Sequence, residues 1–315
     1  MRETTAETGV YARLEDLVAL EYKAKGYSFL PRQPVHSVLS GRHSSRMRGR
    51  GLNFEELRGY LPGDDVRTID WKVTARTREP HVRVYTEERD RPVLLIVDQR
   101  QSMFFGSQRA MKSTVAAEVA ALGAWRVLAQ GDRVGALVFD DQHAEEIRPH
   151  RSRRTVLRIL GSVVEKNHAL HAESKTPRRP GMLNQALQAA ERLCPHDYVV
   201  AIASDYDGVD DETERLVTRL AHRNDVIAMP IWDPLTTHVP PGGQAVVSEG
   251  ELQVEMDLGS EQARTRLLDL ADKRLSRVLR WATERGVPVL PLTTAEDVPD
   301  QVRRLLGGGP LPGRA

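Results

Sequence analysis

The chain is 315 residues long, 40% hydrophobic and 28% charged, which suits about two domains or one large α/β domain with an appendage and excludes a disordered tail, a collagen-like chain or a coiled-coil rod. The 45 Lys and Arg against 44 Asp and Glu leave a formal charge of +1, so any nucleic-acid surface has to be local. Cys194 is the only cysteine and no apolar run approaches a membrane span, which excludes internal disulfides and cysteine-held metals and points to a cytoplasmic protein of a reducing compartment.

Val10, Leu14, Leu17, Val18 and Tyr22 recur at helical spacing and predict an amphipathic helix over 10–25, ended near Gly26. Residues 40–51 carry Arg42, Arg46, Arg48 and Arg50 with three glycines and no carboxylate. Such a loop can meet phosphates, but it has no aromatic for base stacking. Pairing with Asp64, Asp65 or Asp70 is the simpler use of these arginines. Pro62-Gly63 fits the second and third positions of a type II turn, and 81–85 alternates as a strand with one wet face.

From Pro92 onward, apolar runs alternate with amphipathic segments. Strands are predicted at 93–97, 134–139, 198–203, 226–231 and 287–290, the first continuous enough to be buried on both faces. Helices are predicted from a Ser107 cap to Gln130 with Gly131 as stop, then at 153–166, 183–193, 211–222, 260–285 and 295–306. An exposed hairpin is predicted at 244–247 and 251–256. This alternation implies a three-layer α/β fold, a mostly parallel sheet with helices on both faces. The organisation expected is an extension over 1–90, an α/β domain over 91–306 with a hairpin insertion at about 240–258, and a flexible tail over 307–315. Two strands run into an aspartate, Asp98 and Asp205, at the carboxyl edge where ligands of such sheets bind.

Asp98-Gln99-Arg100-Gln101-Ser102-Met103 resembles the first metal-site motif of von Willebrand factor type A domains, D-x-S-x-S. In that family the Asp, two Ser, a Thr from a second loop and an Asp from a third hold Mg²⁺. Asp205 matches the third-loop Asp. The block Gly49-Arg50-Gly51-Leu52-Asn53-Phe54-Glu55-Glu56-Leu57-Arg58-Gly59-Tyr60-Leu61-Pro62-Gly63-Asp64-Asp65-Val66-Arg67-Thr68-Ile69-Asp70-Trp71, continued by Ala75-Arg76, resembles the signature of the bacterial domain-of-unknown-function fifty-eight family. Within it Tyr60, Pro62, Gly63, Asp64, Asp65, Arg67, Asp70, Trp71 and Arg76 are read as structural, with Tyr60 and Trp71 buried where the extension packs on the α/β body. Members of this family are commonly encoded beside MoxR-type AAA+ ATPases, so the resemblance implies a partner rather than a reaction.

The chain departs from the metal-site pattern at two places. Arg100 stands where the family has Ser, and no hydroxyl occurs in Pro180-Gly181-Met182, where the second-loop Thr should lie. That leaves Asp98, Ser102 and Asp205 as weak metal candidates for a cation that demands near-octahedral geometry. Three arrangements are open: Mg²⁺ held by the residual ligands, Arg100 filling the cation's place and pairing with both aspartates, or Arg100 turned to solvent over an empty site. Other motifs are incomplete. Gly106 to Ser113 lacks the second glycine of a phosphate loop, having Met111 there, and the acidic run 205–212 reads as helix capping by Asp210. His168 and His171 lack a third ligand.

The function expected is a non-enzymatic interaction module. It acts as partner or adaptor of a MoxR-type ATPase through the degenerate adhesion site Asp98, Arg100, Ser102 and Asp205, with no cofactor. The alternatives are a metal-dependent hydrolase using the same acids, or nucleic-acid binding through the Arg42–Arg50 loop.

Overall fold

In the computed structural model, residues 9–24, 52–87, 91–174, 176–236, 244–249, 252–257 and 273–306 are described. The chain divides into two units, Met1–Arg32 with Arg91–Ala315, and Gln33–Asp90. The first helix, α1 (Leu14–Lys23), is part of the larger unit, not of an extension with the signature block. Leu17 is buried in that unit's core, and Trp125 Nε1 donates to its carbonyl at 3.0 Å.

The smaller unit is a hairpin closed by a helix. β1 (Leu52–Gly59) pairs antiparallel with β2 (His81–Glu87), and α2 (Trp71–Thr77) lies between them in sequence. The signature residues act by capping and turning. Gly63 takes φ +111°, as the turn requires. Asp64 accepts two bonds from Arg58 at 2.9 Å each, Asp65 accepts from Arg67 N, and Asp70 accepts from Lys72 N and Val73 N as the cap of α2. Asp64 thus has its arginine partner within the block; Arg42 to Arg50 lie outside the described residues. Burial of the signature aromatics does not hold. Tyr60 is half-buried, and Trp71 is 69% exposed, because the Asp70 cap sets α2 with Thr74 against His81 and leaves position 71 outward.

The larger unit holds a six-stranded sheet. Its strands are β3 (Val93–Asp98), β4 (Val134–Phe139), β5 (Ala144–His150), β6 (Val199–Ser204), β7 (Asp225–Trp232) and the short β10 (Leu292–Thr293). The order is β10-β7-β6-β3-β4-β5, all parallel except β5. Alternate residues of β3 face different cores. Val93, Leu95 and Val97 join α1 and the helices α3 (Lys112–Ala129), α4 (Arg153–His168) and α9 (Val298–Leu306), while Leu94 and Ile96 join α5 (Met182–Leu193) and α6 (Asp211–Arg223). The predicted α/β fold, mostly parallel with helices on both faces, is the one observed.

Several expectations shift. The helix predicted from Ser107 starts at Lys112, because Ser107 N and Oγ both bond Asp233 instead of capping. β1 and β5 were not predicted. The strand expected at 287–290 is reduced to a bridge from Val289 to Ala228, and pairing resumes at β10. The hairpin is present as β8 (Gln244–Glu249) and β9 (Leu252–Asp257). Of the helix expected over 260–285, residues 273–279 (α7) and Trp281–Glu284 (α8) are described, and 258–272 and the tail lie outside the described residues. Among the described residues, no helix is long and apolar enough to cross a membrane.

Candidate functional site

In order of occurrence in the larger unit, the sheet reads 3-2-1-4-5-6, so the winding direction reverses between β3 and β6. A crevice outside the carboxyl ends forms at such a reversal. Four neighbouring parallel strands each deliver an aspartate to this edge: Asp98 ends β3, Asp141 follows β4, Asp205 follows β6 and Asp233 follows β7. Two of the four fasten loops. Asp141 accepts from Gln101 N at 2.7 Å and from Arg179 N at 2.8 Å, and Asp233 accepts from Ser107 N and Oγ and from Leu235 N, with Thr294 Oγ1 bonded as well.

Asp98 and Asp205 meet cations. Asp98 is fully buried and Arg100 is 1% exposed. Arg100 Nη2 donates to Asp98 Oδ2 at 2.7 Å, its Nε lies 3.0 Å from Oδ1, and its backbone N also donates to Oδ1 at 3.0 Å. Ser204 Oγ adds a bond to Oδ2 at 2.6 Å. The remaining guanidinium nitrogen, Nη1, donates to the carbonyls of Pro180 at 3.2 Å and Asp207 at 3.0 Å. Arg100 therefore ties three loops together. Its Nη2 also stands 3.8 Å from Asp205 Oδ1.

Asp205 is the second hub. Lys112 Nζ, from the first residue of α3, donates to its Oδ2 at 2.6 Å, Ser102 Oγ donates to Oδ1 at 3.3 Å, and Asp207 N reaches back to Oδ1 at 3.0 Å. The chain turns at Tyr206, whose φ of 55° is left-handed. Arg274 of α7 stands 3.8 Å from Asp205 Oδ2 and donates to Asp207 Oδ1 at 2.5 Å. Asp98 and Asp205 thus share one edge and one arginine.

Electrostatics separate the two carboxylates. Burial pushes the Asp98 carboxyl above its usual value against the opposing charge and hydrogen bonds of Arg100. Burial acts on Asp205 too, but Lys112, Arg274 and Arg100 outweigh it and hold that carboxyl well below the usual range. Burial alone would lower the Arg100 pKa, yet Asp98 above all keeps it above its ordinary value.

These residues do not fit Mg²⁺. Both Asp98 oxygens point at a guanidinium, an Asp205 oxygen holds an ammonium, and the loop before α5 brings the Pro180 carbonyl to Arg100 instead of a hydroxyl to a cation. Among the described residues, no group of three or more His, Cys, Asp or Glu is arranged to hold a metal ion. Of the three arrangements open from the sequence, Arg100 is the enclosed one, bonded to Asp98 and with its donors satisfied inside the protein, and is not turned to solvent. Lys112, Ser204, Asp207 and Arg274 belong to the site and were not singled out for it. Lys112 carried a signal, the near-phosphate loop, that pointed to the wrong chemistry.

The model of the family described as Protein of unknown function DUF58 matches residues 56–275. Uncharacterized proteins of Mycobacterium tuberculosis and Mycobacterium bovis are 29% identical over 270 residues, covering 84% of this chain and 82% of theirs. Among solved structures, the conserved hypothetical protein BatB from Bacteroides thetaiotaomicron is 10% identical with a TM-score of 0.38, over 69% of this chain and 100% of that one. A von Willebrand factor type A protein from Catenulispora acidiphila is 11% identical with a TM-score of 0.32, over 71% and 44%. With residues 56–76 of the signature block and most of the α/β unit inside the matched span, the chain belongs to the DUF58 family.

Proposed function

We propose that the chain is a non-enzymatic protein-interaction module whose partner surface is the carboxyl edge around Asp98, Arg100, Ser102 and Asp205, and whose partner is a MoxR-type AAA+ ATPase. The observation that carries this reading is the enclosed Arg100, bonded to Asp98 and to the carbonyls of two neighbouring loops. A permanent cation built into the chain fixes those loops in one arrangement, and a surface fixed before binding loses less entropy when a partner docks. The contact itself falls to the rim, where Ser102, Phe105 and Arg179 are partly or well exposed. The ATPase enters through the family resemblance, which implies a genetic neighbour of that type.

The hydrolase alternative has little support. Ser102 donates to Asp205, and a carboxylate held this far below its usual pKa by Lys112 is a poor general base. The Arg42–Arg50 loop invoked for nucleic acid lies outside the described residues.

The test is a calorimetric titration of the chain with the nucleotide-free ATPase, in EDTA and in Mg²⁺. Equal affinity in both is expected, with a loss of about tenfold for Arg100→Ser as the loops loosen. Binding that appears only with Mg²⁺, or no binding in either buffer, overturns the proposal.

A further inference from the structure

Among the described residues, three of the most exposed large apolar side chains fall close together in the sequence of the smaller unit. Leu61 and Val66 are each 59% exposed and Trp71 is 69% exposed, within eleven positions of one another. Clustered exposed apolar groups mark interaction sites, whereas single ones do not. Trp71 is also the exception among the four tryptophans, since Trp125 and Trp281 are buried and Trp232 is partly covered.

The charge around these residues is mainly positive. From Val66 to Arg78 the chain carries four cations and one acid. The acid, Asp70, is buried and faces inward as the cap of α2. Arg67, Lys72 and Arg76 are exposed and have no ion pair among the described residues. Lys72 and Arg76 are four apart on α2, so they are neighbours on its surface, and Trp71 begins the same turn. Of the acids nearby in sequence, Asp64 is paired with Arg58, Asp65 accepts from the Arg67 amide and Glu79 is exposed, so the segment stays net positive against its four cations.

We infer that this face of the signature block docks an acidic, apolar segment of a partner protein. Trp and Arg are the residue types that anchor protein interfaces, and flanking cations select and steer a segment that carries Asp or Glu beside its apolar anchors. A single exposed aromatic with exposed aliphatic side chains nearby in sequence suits a protein segment better than a nucleic acid, which needs successive stacking platforms. This inference stands apart from the carboxyl-edge reading, because it uses a different unit and a different chemistry.

The experiment uses the full chain and a synthetic helical peptide of about 15 residues, with Leu and Phe at one face and Glu at the others. A control peptide replaces every Glu by Lys. Trp71 is followed by acrylamide quenching, taken as the difference between the wild type and Trp71→Phe. The expected result is an accessible Trp71 that the acidic peptide shields and the basic one does not. Affinity should fall with added salt and drop about tenfold or more in Lys72→Glu/Arg76→Glu and in Trp71→Ser, with unchanged unfolding midpoints confirming that the variants are folded. The inference is overturned if the acidic peptide fails to shield Trp71 or binds the variants as well as the wild type. It is overturned equally if Trp71 is already shielded in the free chain, where sedimentation separates a second copy from the chain itself as the cover. Tighter binding of single-stranded RNA, lost in the same variants, assigns the face to nucleic acid instead.

Discussion

Replacing Arg100 by alanine removes one partner of an ion pair enclosed at the switch point of the sheet. Asp98 then keeps Ser204 Oγ at 2.6 Å and the backbone amide of position 100, but loses the guanidinium contacts at 2.7, 3.0 and 3.1 Å. The Pro180 and Asp207 carbonyls lose their donor as well. Breaking a buried pair in this way costs about 3–5 kcal/mol, because a carboxylate is left in a dry site. At about 2–4 °C per kcal/mol for a unit of this size, the thermal midpoint should fall by roughly 6–20 °C. Urea unfolding of Arg100→Ala, Asp98→Asn and the double variant closes the cycle, and the double variant should be more stable than Arg100→Ala because no unpaired charge remains. A loss below about 1 kcal/mol for Arg100→Ala, the level of an exposed pair, would refute the claim that Arg100 neutralises the edge.

Two further outcomes follow from burial and charge. Trp71→Ala should change stability by no more than about 0.5 kcal/mol, as exposed positions do, while Trp281→Ala, fully buried against Tyr206, should cost about 3–5 kcal/mol in the same urea assay; equal losses would place Trp71 in a core. Asp64, Asp140, Asp205, Asp210 and Asp233 are all held below the usual carboxylate range, so they bind fewer protons folded than unfolded. Their stabilisation is complete above the unfolded pKa of about 3.9 and is lost as pH falls through the lower folded values. The raised Asp98 works in the opposite sense. Urea midpoints should therefore hold from neutrality to about pH 4 and fall below it; a decline starting near pH 6.5 would implicate histidines instead.

The central strands are legible because β3, β4 and β6 are apolar at nearly every position, as strands covered on both faces must be. Asp98 and Asp205 are legible for the same reason, since each stops an unbroken run. The edge strand β5 is not, because Ala144–His150 is largely charged and exposed and buries only Ile147. The start of α3 is hidden by an interaction at long range: the cap chemistry of Ser107 is real but is used by Asp233, 126 residues away. Phase decides Trp71. Seven residues of α2 carry too little periodicity to say which positions face inward, and a tryptophan reads as core until the Asp70 cap fixes the turn. Lys112 and Arg274 come to Asp205 from 93 and 69 positions away, and no local pattern announces either one.

The balance of charge at the edge explains how its loops are held without a metal ion. Three carboxylates, Asp98, Asp205 and Asp207, face three side-chain cations, Arg100, Lys112 and Arg274. A divalent ion placed among them would have to displace ammonium or guanidinium groups that are covalently anchored and that release no binding partner when the ion is withdrawn. Buried pairs are also screened less by salt than exposed ones, so the loops they hold keep their shape over a range of ionic conditions. What this arrangement gives up is an open coordination position, and with it any direct bond from a cation to a partner carboxylate. On the proposed function, recognition at the edge rests on the shape of the loops around Ser102, Phe105 and Arg179. On the inference drawn above, acidic partner groups instead meet the smaller unit at Arg67, Lys72 and Arg76, which are exposed and have no ion pair among the described residues.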